Sequence, residues 1–284
     1  MKAALYPNFQ KKNALGCARE ACDILRSAGI EVSVSPKFRN DFEDKPFVNF
    51  EPIAESAKTA DIVLAIGGDG TILRCAKHLM GIDTKLLGIN TGTLGFMAGL
   101  EADQLDKLPL LVTGEYEISE RMTIDMVVHG EDGDRVYTAL NEVSARSESF
   151  RISDFEVYSD GYLIGKYRAD GVLFSTPSGS TAYALSAGGP VIEPDLECIE
   201  MTLICPHSLF SRATMFAPSR ILRLMNANTA GEKMVISVDG EVIETLSGGE
   251  SVEIKRGVND LKFVNLIGNS FHESLCRKLC RPIK

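Results

Sequence analysis

One carboxylate inside a glycine turn is the first residue whose setting points to chemistry. Residues 67–71 read Gly-Gly-Asp-Gly-Thr and directly follow the apolar run 62–66. Such a turn lets a ligand approach the bare backbone, and its N–H groups suit phosphate. The Asp69 carboxylate repels phosphate and so costs binding affinity. Its presence in such a turn therefore indicates that it takes part in the reaction or holds a metal. The segment therefore predicts a phosphate-binding turn with a reactive Asp69. The alternative is that Asp69 only forms an Asx turn, which would stabilise the local backbone. Helical periodicity follows Thr71, which stands where an N-cap is expected.

Two adjacent polar residues, Asn141 and Glu142, form the second candidate. They end the alternating run 136–140. An asparagine side chain both donates and accepts hydrogen bonds, and a carboxylate can accept from the two hydroxyls of a ribose. The pair therefore indicates a ribose-binding position. A solvated strand end explains the same residues equally well, so that alternative stays open.

The longest candidate segment covers residues 168–190. A charged pair, Arg168 and Asp170, precedes an apolar strand that leads into a hydroxyl-rich loop. Thr181 is expected to cap a short helix that carries Tyr183. Hydroxyls with one carboxylate suit a polar heterocycle and its ribose better than phosphate. A flexible linker is the alternative, but a linker does not follow a strand and then re-enter an apolar helix. The loop holds no Gly-x-Ser-x-Gly nucleophile motif.

Asn90 and Phe96 flank a glycine-rich loop that follows the strand predicted at 85–89. Asparagine tolerates left-handed backbone geometry, so turn formation explains Asn90 about as well as ligand contact does. Phe96 offers a surface on which a base could stack, although a place in the core is the safer interpretation.

The elements that must position these residues change character along the chain. Strands predicted at 2–6, 30–34 and 85–89 alternate with helical patterns, which indicates an α/β domain with a parallel sheet. Beyond Tyr116, short alternating runs separated by Asp-Gly dipeptides indicate an antiparallel β-sandwich. We expect an α/β domain over 1–115, a β-rich domain over 116–268, and a basic tail over 269–284 that packs back on the α/β domain.

Length, charge and cysteine content bound the function. The chain has 284 residues, of which 44% are hydrophobic, and a formal net charge of −9. The acidic balance argues against broad binding to nucleic acid or anionic membranes. No apolar run approaches the ~18–20 residues that a membrane span needs. Seven scattered cysteines without a C-x-x-C pair fit reduced thiols, and the four histidines show no metal-ligand spacing. We expect a cytoplasmic protein without a signal peptide and without metal-ligating residues.

Three of these segments, in this order, resemble the motifs of NAD kinases: 67–71, Asn141-Glu142, and the block at 170–183. The first motif is shared with diacylglycerol and sphingosine-type lipid kinases, and loosely with 6-phosphofructokinases, whereas the last block is far more specific. NAD kinases phosphorylate the adenosine 2′-hydroxyl of NAD to give NADP. The resemblance covers nearly the whole chain and implies an N-terminal Rossmann-like α/β domain followed by a C-terminal antiparallel β-sandwich domain.

The resemblance also implies roles for individual residues. Asp69 would be the general base for the 2′-hydroxyl, in a reaction that uses ATP or another phosphoryl donor with Mg²⁺ or another divalent cation. The second domain would hold NAD and the first the donor, in a homodimer or homotetramer without nucleic-acid or membrane partners. The residues expected to contact substrates are Gly68, Gly70, Asn90, Phe96, Asn141, Glu142, Arg151, Arg168, Asp170, Thr181, Ala182, Tyr183, Ala184, Leu185, Ser186 and Glu241.

Two residues depart from the family pattern. Thr93 stands where many members have histidine, and Ser178 replaces the commoner threonine. Both changes concern individual contacts and leave the expected reaction unchanged.

Three functions of different classes compete for the same residues. An ATP-dependent NAD kinase is favoured because both blocks occur in order. A lipid kinase shares the glycine-aspartate turn, but it predicts an apolar channel and membrane attachment, against which the acidic composition and the polar loop at Tyr183 speak. A non-catalytic NAD(H)-binding regulator would need neither Asp69 nor Glu142.

Overall fold

The chain divides into two compact units. A computed structural model describes residues 1–92, 95–131, 133–149, 151–208, 211–228, 231–268 and 271–279. Unit 1 consists of Met1–Glu120 and the chain from Leu261 onward, and unit 2 consists of Arg121–Asp260. Thr93, one of the two departures from the family pattern, lies outside the described residues, as do 269, 270 and 280–284 of the expected tail.

The described strands and helices have the following bounds. The strands are β1 (Lys2–Pro7), β2 (Glu31–Val34), β3 (Val48–Phe50), β4 (Ile62–Gly67), β5 (Lys85–Asn90), β6 (Leu100–Glu101), β7 (Glu117–Arg121), β8 (Ile124–Val128), β9 (Arg135–Ala139), β10 (Glu142–Ser147), β11 (Ser153–Ser159), β12 (Tyr162–Ala169), β13 (Gly171–Ser175), β14 (Ile199–Ile204), β15 (Thr214–Phe216), β16 (Leu222–Asn226), β17 (Met234–Val238), β18 (Glu241–Leu246), β19 (Ser251–Arg256) and β20 (Leu261–Asn265). The α-helices are α1 (Ala14–Ser27), α2 (Ile53–Thr59), α3 (Asp69–Lys77), α4 (Leu110–Thr113), α5 (Tyr183–Ser186) and α6 (Phe271–Leu279), with 3₁₀ turns at Pro36–Phe42, Leu105–Lys107 and Ser178–Thr181.

Unit 1 is the α/β half, and its sheet has the order β3-β2-β1-β4-β5-β20-β7, with β6 also paired to β5. The pairs from β3 to β5 are all parallel. Every residue of β4 is buried, which is typical of a central parallel strand covered on both faces. Helix α1 buries one apolar stripe and ends at Ser27; its C-cap residue is Ala28, which is followed by Gly29, whose φ is 78°. The Rossmann-like α/β domain expected from the sequence is confirmed.

Strand β20 returns to this parallel sheet from the far end of the chain. Phe263 pairs with Leu86 of β5 in parallel register. The sequence division placed these residues in the β-rich domain, which was expected to run to 268, and the structure differs there. The local pattern of a short strand does not reveal its partner, because pairing depends on which sheet edge is available in the folded chain.

Unit 2 is built from two antiparallel sheets that share one apolar core. Their orders are β15-β14-β13-β10-β17-β18 and β12-β11-β16-β19-β8-β9. Side chains from both sheets, among them Phe155 and Phe174, belong to the same buried cluster. The expected antiparallel β-sandwich is therefore confirmed. Two of the Asp-Gly hairpin turns have left-handed geometry at both positions: φ is 49° at Asp160 and 84° at Gly161, and 47° at Asp239 and 78° at Gly240.

No helix within the described ranges is long and apolar enough to cross a membrane.

Candidate functional site

The glycine turn of unit 1 joins the carboxyl end of β4 to helix α3. The helix begins at Asp69 with Gly68 as its N-cap residue, so the expectation that Thr71 caps it is wrong. Thr71 lies in the first turn, is buried, and accepts a hydrogen bond from Asn8 Nδ2 at 3.1 Å. A Cβ at Gly67 would overlap the Thr71 side chain, whereas a Cβ at Gly68 or Gly70 would meet no described atom within 4 Å. Gly67 therefore serves packing, and the other two glycines leave the backbone open.

The Asp69 carboxylate is held by three groups of unit 1. The backbone N–H groups of Phe96 and Met97 donate to its oxygens at 3.0 and 3.3 Å, and Lys278 Nζ of helix α6 lies 3.3 Å from Oδ2. Gly95 lies so close that a Cβ there would overlap Asp69 Oδ1. The loop after β5 thus orients the carboxylate, and the tail helix places a cation against it.

The side chains of Phe96 and Asn90 both have partners within unit 1. The Lys278 ammonium lies 4.0 Å from the centroid of the Phe96 ring, and that ring lies 6.2 Å from the Phe271 ring. Asn90 is buried; its Nδ2 donates to Glu101 at 2.8 Å, and its Oδ1 accepts from the Gly92 N–H. Asn90 thus makes the turn that the sequence allowed, and its contact with substrate stays a prediction.

Glu101 adds a second carboxylate to the neighbourhood of Asp69. Burial raises the pKa of Glu101 above its ordinary value, and the negative charges of Asp103 and Asp69 raise it further. The Asn90 hydrogen bond and the positive charge of Arg277 act in the opposite direction. The region around Asp69 is therefore acidic and takes its positive charge from helix α6.

A cavity of about 550 Å³ lies in unit 1 at the carboxyl end of β1. Its lining combines aromatic rings with two cations, and it consists of Tyr6, Pro7, Asn8, Phe9, Gln10, Lys37, Phe38 and Arg74. Asn8 connects the cavity to the glycine turn, since its N–H donates to the Ile66 carbonyl and its amide reaches Thr71. Sequence reasoning missed these residues. The available signal was their position just after a parallel strand, where ligands bind in α/β sheets.

In unit 2, Asn141 and Glu142 lie where the chain crosses from one sheet to the other. β9 pairs with β8, whereas β10, which begins at Glu142, pairs with β13 and β17. The Asp239 carboxylate accepts from the N–H groups of Leu140, Asn141 and Glu142 at 2.8–3.1 Å. The Asp239-Gly240 turn, which the sequence predicts as a hairpin, therefore clamps the bend that carries the two candidate residues.

Asn141 and Glu142 are each only 7% exposed, and each retains an unsatisfied oxygen. Neither Asn141 Oδ1 nor Glu142 Oε2 has a hydrogen-bond partner in the part of the chain that the structure describes. Burial, followed by the negative charge of Asp239, raises the pKa of Glu142 to about 7. Because buried polar atoms are normally hydrogen-bonded, two adjacent unsatisfied oxygens indicate a place for a ligand with donor groups.

The hydroxyl-rich loop of unit 2 packs on the same bend. Thr176 Oγ1 donates to the Leu140 carbonyl, and the Thr176 N–H donates to the Asn141 carbonyl at 2.9 Å. A Cβ at Gly179 would overlap the Asn141 carbonyl, so the close approach requires glycine. The loop continues through the 3₁₀ turn Ser178–Thr181 into α5, whose N-cap residue is Ala182, so the expected Thr181 cap is wrong.

The remaining predicted residues of this segment lie on or just before α5. Thr181, Ala182, Tyr183 and Leu185 are half-buried, Ala184 is buried, and Ser186 is exposed. The substrate contacts of these residues stay predictions. Ser178, the second departure from the family pattern, is half-buried at the start of the 3₁₀ turn.

Three predicted residues lie away from Glu142 within unit 2. Glu142 pairs with Ser175 at one end of β13, whereas Asp170 precedes the other end, about five residues or roughly 16 Å away. Arg168 is exposed and lies 3.8 Å from Asp154, and Arg151, also exposed, lies 3.5 Å from Glu232. Glu241 is exposed and follows the Asp239-Gly240 turn. The structure therefore does not bring Arg151, Arg168 and Asp170 to the Asn141–Glu142 bend.

Comparison with known proteins assigns both halves of the chain to one family. The ATP-NAD kinase N-terminal domain matches residues 4–116, and the ATP-NAD kinase C-terminal domain matches residues 140–266. An NAD kinase of Caldicellulosiruptor bescii is 34% identical over 280 residues, which are 98% of this chain and 99% of that protein. An NAD kinase of Syntrophotalea carbinolica is 32% identical over 282 residues, 98% of both chains.

Two solved structures have a similar fold. A yeast NADH kinase complexed with NADH aligns with a TM-score of 0.90 and 23% identity, over all of this chain and 90% of that one. An NAD kinase from Archaeoglobus fulgidus in complex with ATP aligns with a TM-score of 0.73 and 24% identity, over 93% of each chain. At these identities the likeness is one of fold.

Proposed function

The chain belongs to the NAD kinase family of phosphotransferases, and on that premise we propose that it transfers the terminal phosphoryl group of ATP to the adenosine 2′-hydroxyl of NAD, with Asp69 as the general base. The observation that carries the proposal is the Asp69 carboxylate at the start of α3, oriented by the Phe96 and Met97 N–H groups beside open backbone at Gly68 and Gly70. A ribose hydroxyl is a poor nucleophile, and a carboxylate within hydrogen-bond reach can accept its proton.

NAD binding is proposed for the Asn141–Glu142 bend and the loop that packs on it. The two unsatisfied oxygens of these residues would accept hydrogen bonds from ribose hydroxyls of the substrate. The clamp by Asp239 and the close approach of Gly179 fix the bend, so that little conformational freedom is lost when the ligand binds. The contacts proposed for Tyr183 and Ser186 follow from the resemblance to the family and extend this site along α5.

The ATP donor is proposed to occupy the cavity at the end of β1. Phe9 and Phe38 are available to the base, while Lys37 and Arg74 can neutralise phosphate. Within the described ranges no three acidic, cysteine or histidine side chains form a metal cluster. Mg²⁺ commonly keeps substrate phosphates and water as ligands, so the proposed Mg²⁺ ion would arrive bound to the nucleotide phosphates. The ion would supply positive charge to the transferring phosphoryl group.

The direct test is a coupled assay for NADP with NAD, Mg²⁺ and a panel of donors that includes ATP, other nucleoside triphosphates and inorganic polyphosphate. We expect NADP with ATP. The absence of NADP with every donor would refute the kinase proposal, and NADP only with another donor would refute the choice of ATP. A cytoplasmic location stays a prediction from the sequence, and a homo-oligomeric state stays what the resemblance to the family implies.

The role of Asp69 is tested by Asp69→Asn, which keeps the size of the side chain and removes its basicity. We expect kcat to fall by about 10²–10⁴-fold, the usual worth of a general base. NAD affinity, measured by calorimetry, should change little, because the asparagine can still hydrogen-bond the 2′-hydroxyl and the proposed ribose contacts at Asn141 and Glu142 are untouched. A variant that retains most of its turnover would exclude Asp69 as the base.

A further inference from the structure

Helix α6 places Lys278 against the Asp69 carboxylate, where a transferring phosphoryl group would need positive charge. We propose that Lys278 is a catalytic residue that contacts the phosphoryl group during transfer and neutralises its charge. This inference rests on the proposed function and deepens it. The sequence indicates only a basic tail that packs back on the α/β domain. In the structure, one cation of that tail lies at the candidate reaction centre.

The charges of the site create the need for such a cation. The Gly-Gly-Asp-Gly-Thr turn contains no basic residue, and both Asp69 and the nearby Glu101 are acidic. A phosphoryl group that entered this region would meet two carboxylates and the net negative charge of the chain. Phosphoryl transfer depends mainly on alignment and charge neutralisation. Among the described residues, Lys278 is the cation in direct contact with Asp69, and the positive charge of Arg277, one residue earlier, acts on Glu101.

The geometry shows that Asp69 does not need Lys278 for its orientation. The Phe96 and Met97 N–H groups already hold the carboxylate from the loop after β5. The lysine contact is longer than an ideal charge-assisted hydrogen bond, at 3.3 Å, and both side chains are partly exposed, Lys278 by 27% and Asp69 by 34%. An ammonium group has three N–H donors, and the contact with Asp69 uses one of them. Lys278 thus remains able to turn toward a substrate oxygen.

Phe96 supports the ammonium group without cancelling its charge. The ring centroid lies 4.0 Å from Lys278 Nζ, within the range of a cation–π contact. The ring carries no formal charge, so the full positive charge stays available to phosphate. Phe271 at the start of α6 lies against the same ring, which fixes the helix from its other end. The arrangement keeps the lysine beside Asp69 before substrates bind.

The proposed step moves one proton and one phosphoryl group. The 2′-hydroxyl proton passes to an Asp69 oxygen, and a bond forms between O2′ and the γ-phosphorus. The bond from that phosphorus to the β,γ-bridging oxygen breaks, and its electron pair leaves with ADP. Lys278 stays protonated throughout. As Asp69 accepts the proton its carboxylate loses its charge, so the attraction that holds Lys278 there weakens and the ammonium is free to serve the phosphoryl oxygens.

The first test compares Lys278→Met, Lys278→Arg and the control Lys262→Met in the NADP assay. Lys278→Met keeps most of the length of the side chain and removes the charge. We expect kcat to fall by about 100-fold, at the lower end of the cost of one lost electrostatic contact to a transition state. KM for NAD should change less than threefold, and Lys278→Arg should recover a large part of kcat. Lys262 pairs with Asp83 on the surface of the same unit, so its variant controls for a lost positive charge.

The results separate the inference from the function on which it rests. If the wild-type protein makes no NADP, the proposed function fails. If the wild type is active and a folded Lys278→Met keeps its kcat, the lysine proposal alone fails. It also fails if Lys262→Met loses as much, if the loss lies in KM for NAD, or if thermal unfolding shows Lys278→Met to be unfolded, because the lysine would then be structural.

Chemical rescue supplies a second, independent readout. Lys278→Ala leaves space for a small amine, and ethylammonium should restore kcat by at least about fivefold over an equal concentration of tetramethylammonium, which cannot donate a hydrogen bond. Equal effects of the two ions would overturn a direct role for the lysine ammonium group.

Discussion

The carboxylates of Asp69 in unit 1 and Glu142 in unit 2 stand in opposite surroundings. Asp69 is about one-third exposed and receives two backbone N–H donors and an ammonium group. Glu142 is buried beside another carboxylate, and one of its oxygens has no partner among the described residues. The first group is oriented before any ligand arrives, whereas the second leaves an interaction for a ligand to complete. We therefore expect changes around Asp69 to alter turnover and changes around Glu142 to alter NAD binding and stability.

Gly95→Ala is expected to have the largest effect on this comparison. The added methyl group would overlap Asp69 Oδ1 and push the carboxylate from its backbone donors. Misplacement of a reacting group by about 1 Å can cost roughly 100-fold in rate, so kcat should fall by about that factor. NAD affinity measured by calorimetry should stay within threefold of wild type. Gly92→Ala, whose Cβ meets no described atom within 4 Å, is the control. A change in NAD affinity with unchanged kcat would contradict the division of roles.

Asp239→Asn should have the next largest effect, and it acts on unit 2. The two carboxylate oxygens of Asp239 accept hydrogen bonds from three N–H groups, whereas an asparagine amide has only one oxygen. At least one buried N–H group would lose its acceptor, which costs about 1–3 kcal/mol. We expect the free energy of unfolding to fall by about 2 kcal/mol and KM for NAD to rise about tenfold. Denaturant titration and steady-state kinetics measure the two effects.

Asp160→Asn is the matched control, since Asp160 occupies another Asp-Gly hairpin of unit 2 and accepts one backbone hydrogen bond, from Ile221. It should leave KM for NAD unchanged. An equal rise in KM in both variants would show that Asp239 has no particular role at the candidate site.

Glu142→Gln tests the smallest effect, the pH dependence of stability. The pKa of Glu142 is raised to about 7, so the folded state binds a proton that the unfolded state has already released. Its contribution to stability is fully present below about pH 4.5 and is lost as the pH rises through about 7. Gln does not titrate. Relative to wild type, the variant should therefore gain about 1–3 kcal/mol of unfolding free energy between pH 5 and pH 8.

Denaturant titrations at the two pH values measure that difference. Glu131→Gln, at an exposed position of unit 2, controls for the change in net charge. A pH dependence of the Glu142→Gln difference no larger than that of the control would contradict the buried, unsatisfied state of Glu142.

Motifs that are contiguous in sequence were interpreted correctly as local structure. Residues 62–66 predicted the buried strand that became β4, and Asp-Gly at 160 and 239 predicted hairpins with left-handed geometry at both positions. Both features depend on neighbouring residues, through burial on two faces and through the φ values that a turn demands. Helix caps were less predictable. Thr71 has a capping residue type, but the chain starts α3 at Asp69, because the helix must begin directly where β4 ends.

The sequence established the family, the two-part fold and the identity of the candidate residues, because these are properties of residue types in a fixed order. It did not reveal that Asp239 clamps Leu140 to Glu142, that β20 pairs with β5, or that Lys278 lies against Asp69. Each of these contacts joins residues about 100 to 200 positions apart, where no local periodicity carries information. They form only when the whole chain has packed, and they set the surroundings that distinguish Asp69 from Glu142.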